Sequence, residues 1–177
     1  MSATDRESAS LRICDRIVST AAFRQASTIG CYLATDSEVE TWSLIERALR
    51  RNKRIFVPTI KNRSTMRFAE LDENSRFRRN RFGIPEPDSR QFLSPGKIDL
   101  VISPVVAFDS DGRRIGMGGG YFDRTFSFLK HRKNFRRPKL IGVAFDCQQV
   151  ERIDANPWDI ALLDIVTENG VLKGNIN

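Results

Sequence analysis

The sequence predicts a three-layer α/β/α domain, in which helices cover both faces of a mostly parallel, open sheet. Three observations support this fold class. Short apolar runs alternate with amphipathic stretches along the chain. Residues 100–108 form a continuous apolar run of the kind found in buried parallel strands. Five of the 11 glycines then fall within residues 112–120, which predicts a glycine-rich loop between a central strand and a helix.

The N-terminal part is predicted to alternate between helix and strand. Residues 4–7 have the spacing of a capping box, and the helix that follows carries an apolar stripe. Residues 28–34 are predicted as a strand, and Thr41 as the cap of a second helix. A second strand is expected at residues 54–58, and this alternation favours right-handed parallel connections.

The middle of the chain is expected to be less regular. Residues 66–71 are predicted as a strand, and the charged residues 72–81 as a mobile segment. Two prolines in residues 81–87 predict a rigid extended loop rather than a helix. A turn at residues 94–97 leads into the main strand.

Beyond the glycines, Phe122, Phe126 and Leu129 are spaced to line one face of a helix over residues 121–130. Residues 140–145 are predicted as a buried strand, and residues 147–152 as a short link. A final apolar strand at residues 162–167 is followed by Glu-Asn-Gly, which favours a type I′ hairpin turn.

Length and composition limit the cellular setting. A chain of 177 residues is expected to fold as one domain over residues 1–177, with a core large enough to need no disulfide or zinc. Cys14, Cys31 and Cys147 are odd in number and widely spaced, which fits small buried residues in a reducing compartment, the cytoplasm. No apolar run approaches the roughly 20 residues of a membrane helix, and no export signal is evident.

The net charge of +7 suggests an anionic partner. Nucleic acid binding is one interpretation, and a basic surface that attracts small polyanions is the other. The charges are scattered and lack interleaved aromatic residues, so the second is favoured and no nucleic acid is expected. The single histidine, His131, excludes a multi-histidine metal centre and a classical catalytic triad.

The glycine loop is a candidate anion site. Such loops turn consecutive N–H groups toward one point, and a helix N-terminus adds positive charge. A flexible turn is the alternative, but Arg113 and Arg114 precede the glycines, and Asp123 and Arg124 follow them. Arginine suits phosphate, and a carboxylate suits a divalent cation that phosphate carries.

The segment PVVAFDSDGRRIGMGGGYFDR, residues 104–124, resembles the signature of the 5-formyltetrahydrofolate cyclo-ligase family, also called methenyltetrahydrofolate synthetases. Ile115 stands where the family usually has Leu, and Phe122 where it has a second Tyr. The resemblance implies cyclisation of 5-formyltetrahydrofolate to 5,10-methenyltetrahydrofolate, with ATP and Mg²⁺ required and ADP and phosphate released. A monomer that takes folate and ATP as small-molecule partners, away from any membrane, is expected.

The resemblance also implies site residues. The expected ATP contacts are Arg114, Ile115, Gly116, Met117, Gly118, Gly119, Gly120, Tyr121, Phe122 and Arg124. The expected folate contacts are Leu33, Glu38, Phe82, Met117, Gly118, Gly119, Gly120 and Tyr121. Catalytic roles are expected for Tyr121, Arg114 and Asp123, and Mg²⁺ ligation for Asp123 and Asp159. From the residues alone, Glu38 could instead be an exposed loop acid, Phe82 a core or loop anchor, and Asp159 a helix cap.

The sequence departs from the family at two places. Family members begin with a helical segment carrying a K-x-x-x-R pattern, and no lysine precedes Lys53 here, so that helix is expected to be missing. Relatives also carry a further acid where this chain has Leu163, with Asp164 one position later. A folate-binding or regulatory paralogue with little turnover is therefore the alternative function, and a basic RNA-binding module is the next.

Overall fold

A computed structural model describes residues 1–35, 37–62, 64–80, 83, 85–132, 137–154 and 156–174. The helices are α1 (Ala3–Ser19), α2 (Ala21–Gln25), α3 (Trp42–Leu49) and α4 (Tyr121–Phe126). The strands are β1 (Thr28–Cys31), β2 (Arg54–Ile60), β3 (Met66–Leu71), β4 (Phe77–Arg79), β5 (Pro85–Pro87), β6 (Phe92–Leu93), β7 (Leu100–Pro104), β8 (Ala107–Phe108), β9 (Arg114–Ile115), β10 (Lys139–Val143), β11 (Asp164–Val166) and β12 (Val171–Lys173). Short 3₁₀ turns occur at Pro95–Lys97, Ser127–His131 and Asp146–Gln148.

One sheet of eight strands in the described chain has the order β12-β11-β10-β7-β1-β2-β3-β6. The central strands β11, β10, β7, β1 and β2 are parallel, and β12, β3 and β6 are antiparallel additions at the two edges. The chain moves outward in one direction from β1 to β2 and in the other from β7 to β11. The switch point of this doubly wound order therefore lies between β1 and β7, whose carboxyl ends are where such sheets bind ligands.

Two apolar cores cover the two faces of the sheet. The first contains Ile13 and Ile17 of α1 and Ile45 of α3, and the second contains Phe126 of α4. Strand β7 contributes to both, because Leu100 and Ile102 pack in the first core and Val101 in the second. This arrangement confirms the predicted three-layer α/β/α class.

The helix caps differ from the prediction in their residues. Helix α1 is capped by Ser2, whose Oγ accepts from the Asp5 amide at 3.1 Å, so the box lies two residues before the predicted one. At α3, Thr41 occupies the cap position, but its hydroxyl donates to the Tyr32 carbonyl at 2.7 Å. Glu40 Oε1 instead accepts from the amides of Thr41 and Trp42 at 2.8 and 2.9 Å.

The apolar run over residues 100–108 is two strands rather than the one predicted. Strand β7 ends at Pro104, and the Val105 amide makes a last bond to the Val143 carbonyl at 3.0 Å. Gln148 Nε2 then donates to the carbonyls of Val105 and Val106, both at 2.8 Å. The chain therefore leaves the sheet and forms the β8–β9 hairpin before the glycines. Helix α4 is also shorter than predicted, and continues as the 3₁₀ turn Ser127–His131.

Residues 72–81 were predicted as mobile, but in the described part, residues 72–80, local hydrogen bonds and a hairpin fix the chain. Arg81 lies outside the described residues. Asp72 Oδ1 accepts from the Asn74 amide and the Ser75 hydroxyl at 2.9 and 3.0 Å. Strand β4 then pairs with β5 in a separate hairpin. Phe77 of this hairpin meets Trp42 of α3 edge to face, with ring centroids 6.4 Å apart, so the hairpin lies beside the start of α3.

Three further details complete the fold. The β11–β12 hairpin is present, but Glu168 and Asn169 lack the positive φ of a type I′ turn, and Thr167 Oγ1 accepts from the amides of Asn169 and Gly170. Cys14 and Cys31 are buried, whereas Cys147 is exposed on a 3₁₀ turn, so the prediction was wrong for that thiol. Across the described ranges, no helix is both long enough and apolar enough to cross a bilayer.

Candidate functional site

The β8–β9 hairpin that precedes the glycines is built around the carboxylate of Asp109, which is 1% exposed. Its Oδ1 accepts from the amides of Asp111 and Arg113 at 3.0 and 2.9 Å. Its Oδ2 accepts from the Ile153 amide at 3.0 Å and from Arg113 Nη1 at 3.3 Å. One buried carboxylate therefore fixes both the turn of the hairpin and the segment that leads toward Asp159.

Burial acts to raise the pKa of Asp109, but the hydrogen bonds from Ile153, Arg113 and Asp111 outweigh it and hold the pKa below its usual value. Asp109 is therefore ionised at neutral pH. No role was predicted for this residue from the sequence. The available signal was an aspartate at the end of an apolar run followed by Ser-Asp-Gly, since Asp often bonds the backbone two residues on in turns.

The glycine loop, residues 116–120, contrasts with the hairpin because its backbone is open. Gly118 and Gly120 have φ of 78° and 62°, a region that a side chain would disfavour. Gly116, Met117, Gly118 and Gly119 are exposed. Within the described part of the chain, no backbone N–H of residues 116–120 donates a hydrogen bond. Consecutive unpaired N–H groups of this kind are available to an anion.

Asp123 lies one helical turn beyond the glycines, and only one of its carboxylate oxygens accepts hydrogen bonds from the described residues. Its Oδ1 accepts from Arg114 Nη2 at 2.8 Å and from the Ile160 amide at 3.0 Å. The Arg114 side chain is 7% exposed, and its guanidinium carbon lies 4.5 Å from the centre of the Phe122 ring. This cluster therefore ties the hairpin, α4 and the segment before β11 together.

Asp159 is brought to the same place, because its neighbour Ile160 is bonded to Asp123. Asp159 Oδ2 accepts from the Asn156 amide at 2.8 Å, which closes a local turn. Asp164 does not join these two acids. It lies in β11 next to Ile165, which packs in the second core with Phe126, and alternation therefore turns Asp164 toward the opposite face of the sheet.

Tyr121 and Arg124 form the first turn of α4. The Arg124 guanidinium carbon lies 5.3 Å from the centre of the Tyr121 ring. Arg124 Nη2 donates to the Gly119 carbonyl at 2.6 Å, and Nε donates to the Ser64 carbonyl at 2.8 Å. Arg124 thereby connects the glycine loop to the turn between β2 and β3.

The loop after β1 contains the other predicted site residues. Glu38 Oε2 accepts from the amide and hydroxyl of Thr35 at 2.8 and 3.0 Å, so this carboxylate closes its own loop. Leu33 is half-buried against the first core. Both lie beyond the carboxyl end of β1, at the switch point that also receives the glycine loop from β7. Phe82 lies outside the described residues.

The structure thus places two groups of predicted residues at one edge of the sheet. Arg114, Gly116 to Gly120, Tyr121, Phe122, Asp123 and Arg124 form one group, and Leu33 and Glu38 the other. No cluster of three or more metal-ligating side chains occurs among the described residues. The chemistry available here is therefore anion binding by backbone N–H groups beside one or two carboxylates.

Comparison with known proteins connects this arrangement to one group of enzymes. The model of the 5-formyltetrahydrofolate cyclo-ligase family matches residues 1–168. A protein from Escherichia coli K12 named 5-formyltetrahydrofolate cyclo-ligase is 37% identical over 150 residues, which cover 82% of this chain and 80% of that protein. The protein of the same name from Haemophilus influenzae is 34% identical over 149 residues, covering 81% and 76%.

Solved structures give the same result. The NMR structure of Aquifex aeolicus 5,10-methenyltetrahydrofolate synthetase superimposes with a TM-score of 0.83 at 27% identity, covering all of this chain and 87% of that one. A synthetase of the same name from Mycoplasma pneumoniae has a TM-score of 0.73 at 22% identity, and that likeness supports the fold alone.

Proposed function

The chain belongs to the 5-formyltetrahydrofolate cyclo-ligase family, and from this premise we propose that its glycine loop, Asp123 and Asp159 drive the ATP- and Mg²⁺-dependent closure of 5-formyltetrahydrofolate to 5,10-methenyltetrahydrofolate. The observation that carries the proposal is the row of N–H groups at residues 116–120, which find no acceptor among the described residues and lie one helical turn from Asp123. We propose that these groups bind the phosphates of ATP, at the same edge of the sheet as the loop after β1 that contains Leu33 and Glu38.

The two carboxylates suit Mg²⁺. Asp123 uses Oδ1 for protein hydrogen bonds and Asp159 uses Oδ2, and within the described chain the second oxygen of each accepts none. Mg²⁺ takes one or two carboxylates and completes its octahedron with waters and phosphate oxygens, so a third protein ligand is not needed. When bound, the ion would neutralise charge on the phosphates during transfer.

Arg114 acts mainly through Asp123 in this proposal. Its side chain is nearly buried and already paired, so its direct contact with a phosphate would require the ion pair to open. We propose that Arg114 orients Asp123, and that its positive charge helps to neutralise the phosphates from a distance. Arg124 is exposed beside Gly119 and is the better placed cation for the phosphates, with Ile115 and Phe122 as flanking contacts.

The folate is proposed to lie between the glycine loop and the loop after β1. Leu33 offers apolar contact, and Glu38 can accept hydrogen bonds from the pterin once its bonds to Thr35 are exchanged. Tyr121 at the start of α4 is proposed to orient the formyl group or stack against the folate, and Met117, which is 77% exposed, covers the other side. Phe82 is kept as a further proposed folate contact.

The chemistry follows from the leaving group. The formyl oxygen is a poor leaving group. Transfer of the γ-phosphoryl group of ATP to it gives a phosphate ester, from which phosphate leaves readily. The N10 amine then attacks the formyl carbon and gives up its proton to solvent. Phosphate leaves with the C–O electron pair, and the five-membered ring closes as the methenyl cation, with ADP already formed. Phosphoryl transfer depends on position and charge neutralisation rather than on a strong acid or base. The glycine loop and Arg124 supply both, and Arg114 contributes through Asp123.

The test is formation of 5,10-methenyltetrahydrofolate from 5-formyltetrahydrofolate, followed by its absorbance, with and without ATP and Mg²⁺. We expect product only when both are present, with one ADP released per product. Folate binding without turnover would instead identify a binding paralogue. Turnover that does not depend on ATP would contradict the role given to the glycine loop.

The remaining expectations are proposals of the same kind. We propose a single-domain monomer that works in the cytoplasm, with folate and ATP as its partners and no nucleic acid ligand. The two buried thiols fit that compartment, and the scattered basic side chains fit a field that attracts small polyanions.

A further inference from the structure

A cavity lies on the α4 face of the molecule, and none of its described lining residues belongs to the glycine loop. Its volume is about 600 Å³, and it opens beside the edge of the sheet where β6 ends. The turn between β2 and β3, the 3₁₀ turn Pro95–Lys97 and the α4 segment with its 3₁₀ extension bound it. This volume is within the range of pockets that bind small molecules.

The lining is basic and partly aromatic. Lys61, Arg67 and Arg132 supply three cations, and Phe92 and Phe128 supply rings. Among the lining residues that the structure describes, none is an aspartate or glutamate. A solvated surface of this charge would normally mix both signs. Three cations around one concave space without an acid therefore indicate an anionic ligand.

Arg67 carries an unmet hydrogen-bonding group. Its guanidinium carbon lies 3.6 Å from the centre of the Phe92 ring, and its buried Nε has no acceptor in the described part of the chain. A buried donor without a partner lowers stability, because it has given up its hydrogen bonds to water. A carboxylate or phosphate oxygen in the cavity would remove that cost, because a guanidinium binds both groups through a two-pronged contact.

The guanidinium of Arg132 is fixed by its neighbours. Its guanidinium carbon lies 4.7 Å from the centre of the Phe128 ring, and Nη1 donates to the Arg137 carbonyl at 2.9 Å. A Cβ at Gly96 would come within 3.0 Å of Arg132 Nη2, so the guanidinium also packs against that backbone. A fixed guanidinium loses less side-chain entropy when it binds.

The cavity is distinct from the site at Asp123. Thr125 lines the cavity and accepts from the Met66 amide at 2.9 Å, and residues two apart on a helix do not face the same side. Arg124 stands between the two places, since it binds the Ser64 carbonyl and the Gly119 carbonyl.

We propose that this cavity is a second binding site, which takes a small molecule carrying two or more carboxylate or phosphate groups. The ligand's anionic groups contact Arg67, Arg132 and Lys61, and its carbon body lies against Phe128 and Phe92. The site is independent of the nucleotide proposed for the glycine loop.

Calorimetric titration of the full chain with pyrophosphate and, separately, with tricarballylate tests the proposal. We expect saturable binding of at least one probe that persists when MgADP fills the glycine loop, and the probe that binds identifies phosphate or carboxylate as the preferred group. Arg67→Gln should weaken that binding by about 10-fold to 100-fold, the scale of a lost charged hydrogen bond. Arg50→Gln is the matched control, because Arg50 is exposed at the end of α3 and the charge change is the same.

Three results would overturn the proposal: no saturable binding of either probe, equal weakening in Arg67→Gln and Arg50→Gln, or loss of binding when the protein is saturated with MgADP. The last result would place the anion in the glycine loop. If Arg67→Gln fails to fold by circular dichroism, Lys61→Gln replaces it, because Lys61 is exposed and its loss is not expected to affect folding. Unchanged affinity in that variant would equally contradict the proposal.

Discussion

The β8–β9 hairpin and the glycine loop are neighbours in sequence but opposite in construction. In the hairpin, a buried carboxylate receives three backbone N–H groups and one guanidinium N–H. In residues 116–120, the N–H groups have no partner in the described chain and most of the residues are exposed. The first region satisfies its own donors, and the second leaves them for something else.

This difference separates positioning from binding. A row of free N–H groups is useful only if its ends are fixed, since ordering a loop costs about 1 to 2 kcal/mol for each residue. Asp109 fixes the entry to the loop, and the bond from Ile160 to Asp123 fixes its exit at α4. Changes in the hairpin should therefore affect stability first, and changes in the loop or at Asp123 should affect turnover first.

The largest effect is expected for Asp123→Asn. The amide oxygen keeps an acceptor for Arg114 and Ile160, so the fold should persist, but the negative charge offered to Mg²⁺ is lost. We expect turnover to fall by about 10²-fold to 10³-fold, the usual scale for a group that organises transition-state charge. The product absorbance assay gives kcat, and thermal unfolding serves as the control. Near-normal turnover would remove Asp123 from the metal site.

Asp109→Ala should show the opposite pattern. Removal of the carboxylate leaves the amides of Asp111, Arg113 and Ile153 without their acceptor, in a place that water does not reach easily. The free energy of unfolding should fall by about 3 kcal/mol or more. Denaturant titration measures it, with Asp111→Ala as the control because that side chain is 53% exposed. Equal losses in the two variants would refute the central role of Asp109 in the hairpin.

A smaller effect is expected within the loop itself. Gly118→Ala forces a side chain into φ of 78°, which costs about 1 kcal/mol and should raise the KM for ATP about fivefold. Gly116→Ala is the matched variant, because its φ is not positive and a Cβ there would meet nothing within 4 Å. If both variants raise KM equally, the bulk of the methyl group rather than the loop conformation limits ATP binding.

The smallest effect concerns acid pH. Because the pKa of Asp109 is lowered in the folded protein, its contribution to stability is complete above the unfolded pKa of about 3.9 and is lost as pH falls through the folded value. The difference in unfolding free energy between wild type and Asp109→Asn should therefore shrink below about pH 4. Denaturant titrations from about pH 6 to about pH 3 check this. A constant difference would show that the hydrogen bonds, not the charge, carry the stabilisation.

Much of the fold could be predicted because local patterns and sheet burial agree. Leu100, Val101 and Ile102 are all apolar, and successive residues of a strand face opposite sides of the sheet. A strand buried on both faces was therefore evident from the sequence. The break at Pro104 was missed, because Gln148, which draws the chain away, comes from a distant segment. The same reason explains the cap of α3. The Thr41 hydroxyl donates to the Tyr32 carbonyl, so the Glu40 carboxylate accepts from the first amides of the helix instead.

The candidate site divides in the same way. The glycines, the basic residues before them and Asp123 were identifiable because they are adjacent in sequence. The pairing of Arg114 with Asp123 could not be predicted, because an arginine next to a glycine-rich loop suggests a phosphate ligand. Only the structure shows that the Arg114 side chain is nearly buried and already paired with Asp123. From the sequence, either Asp159 or Asp164 could be the acid that accompanies Asp123. Strand alternation turns Asp164 to the other face of the sheet, which favours Asp159.

By itself, the sequence determined the α/β class, the glycine-rich loop and membership of one enzyme family, because these depend on periodicity and on residues close together along the chain. The tertiary structure alone decided which oxygen of Asp123 and of Asp159 accepts no hydrogen bond from the described residues. It also decided that Asp109 fixes the hairpin before the glycine loop, and that a basic cavity exists on the α4 face. Those features depend on contacts between residues as far apart as Asp109 and Ile153. Such contacts depend on the spatial order of the strands in the sheet, which no local sequence pattern encodes.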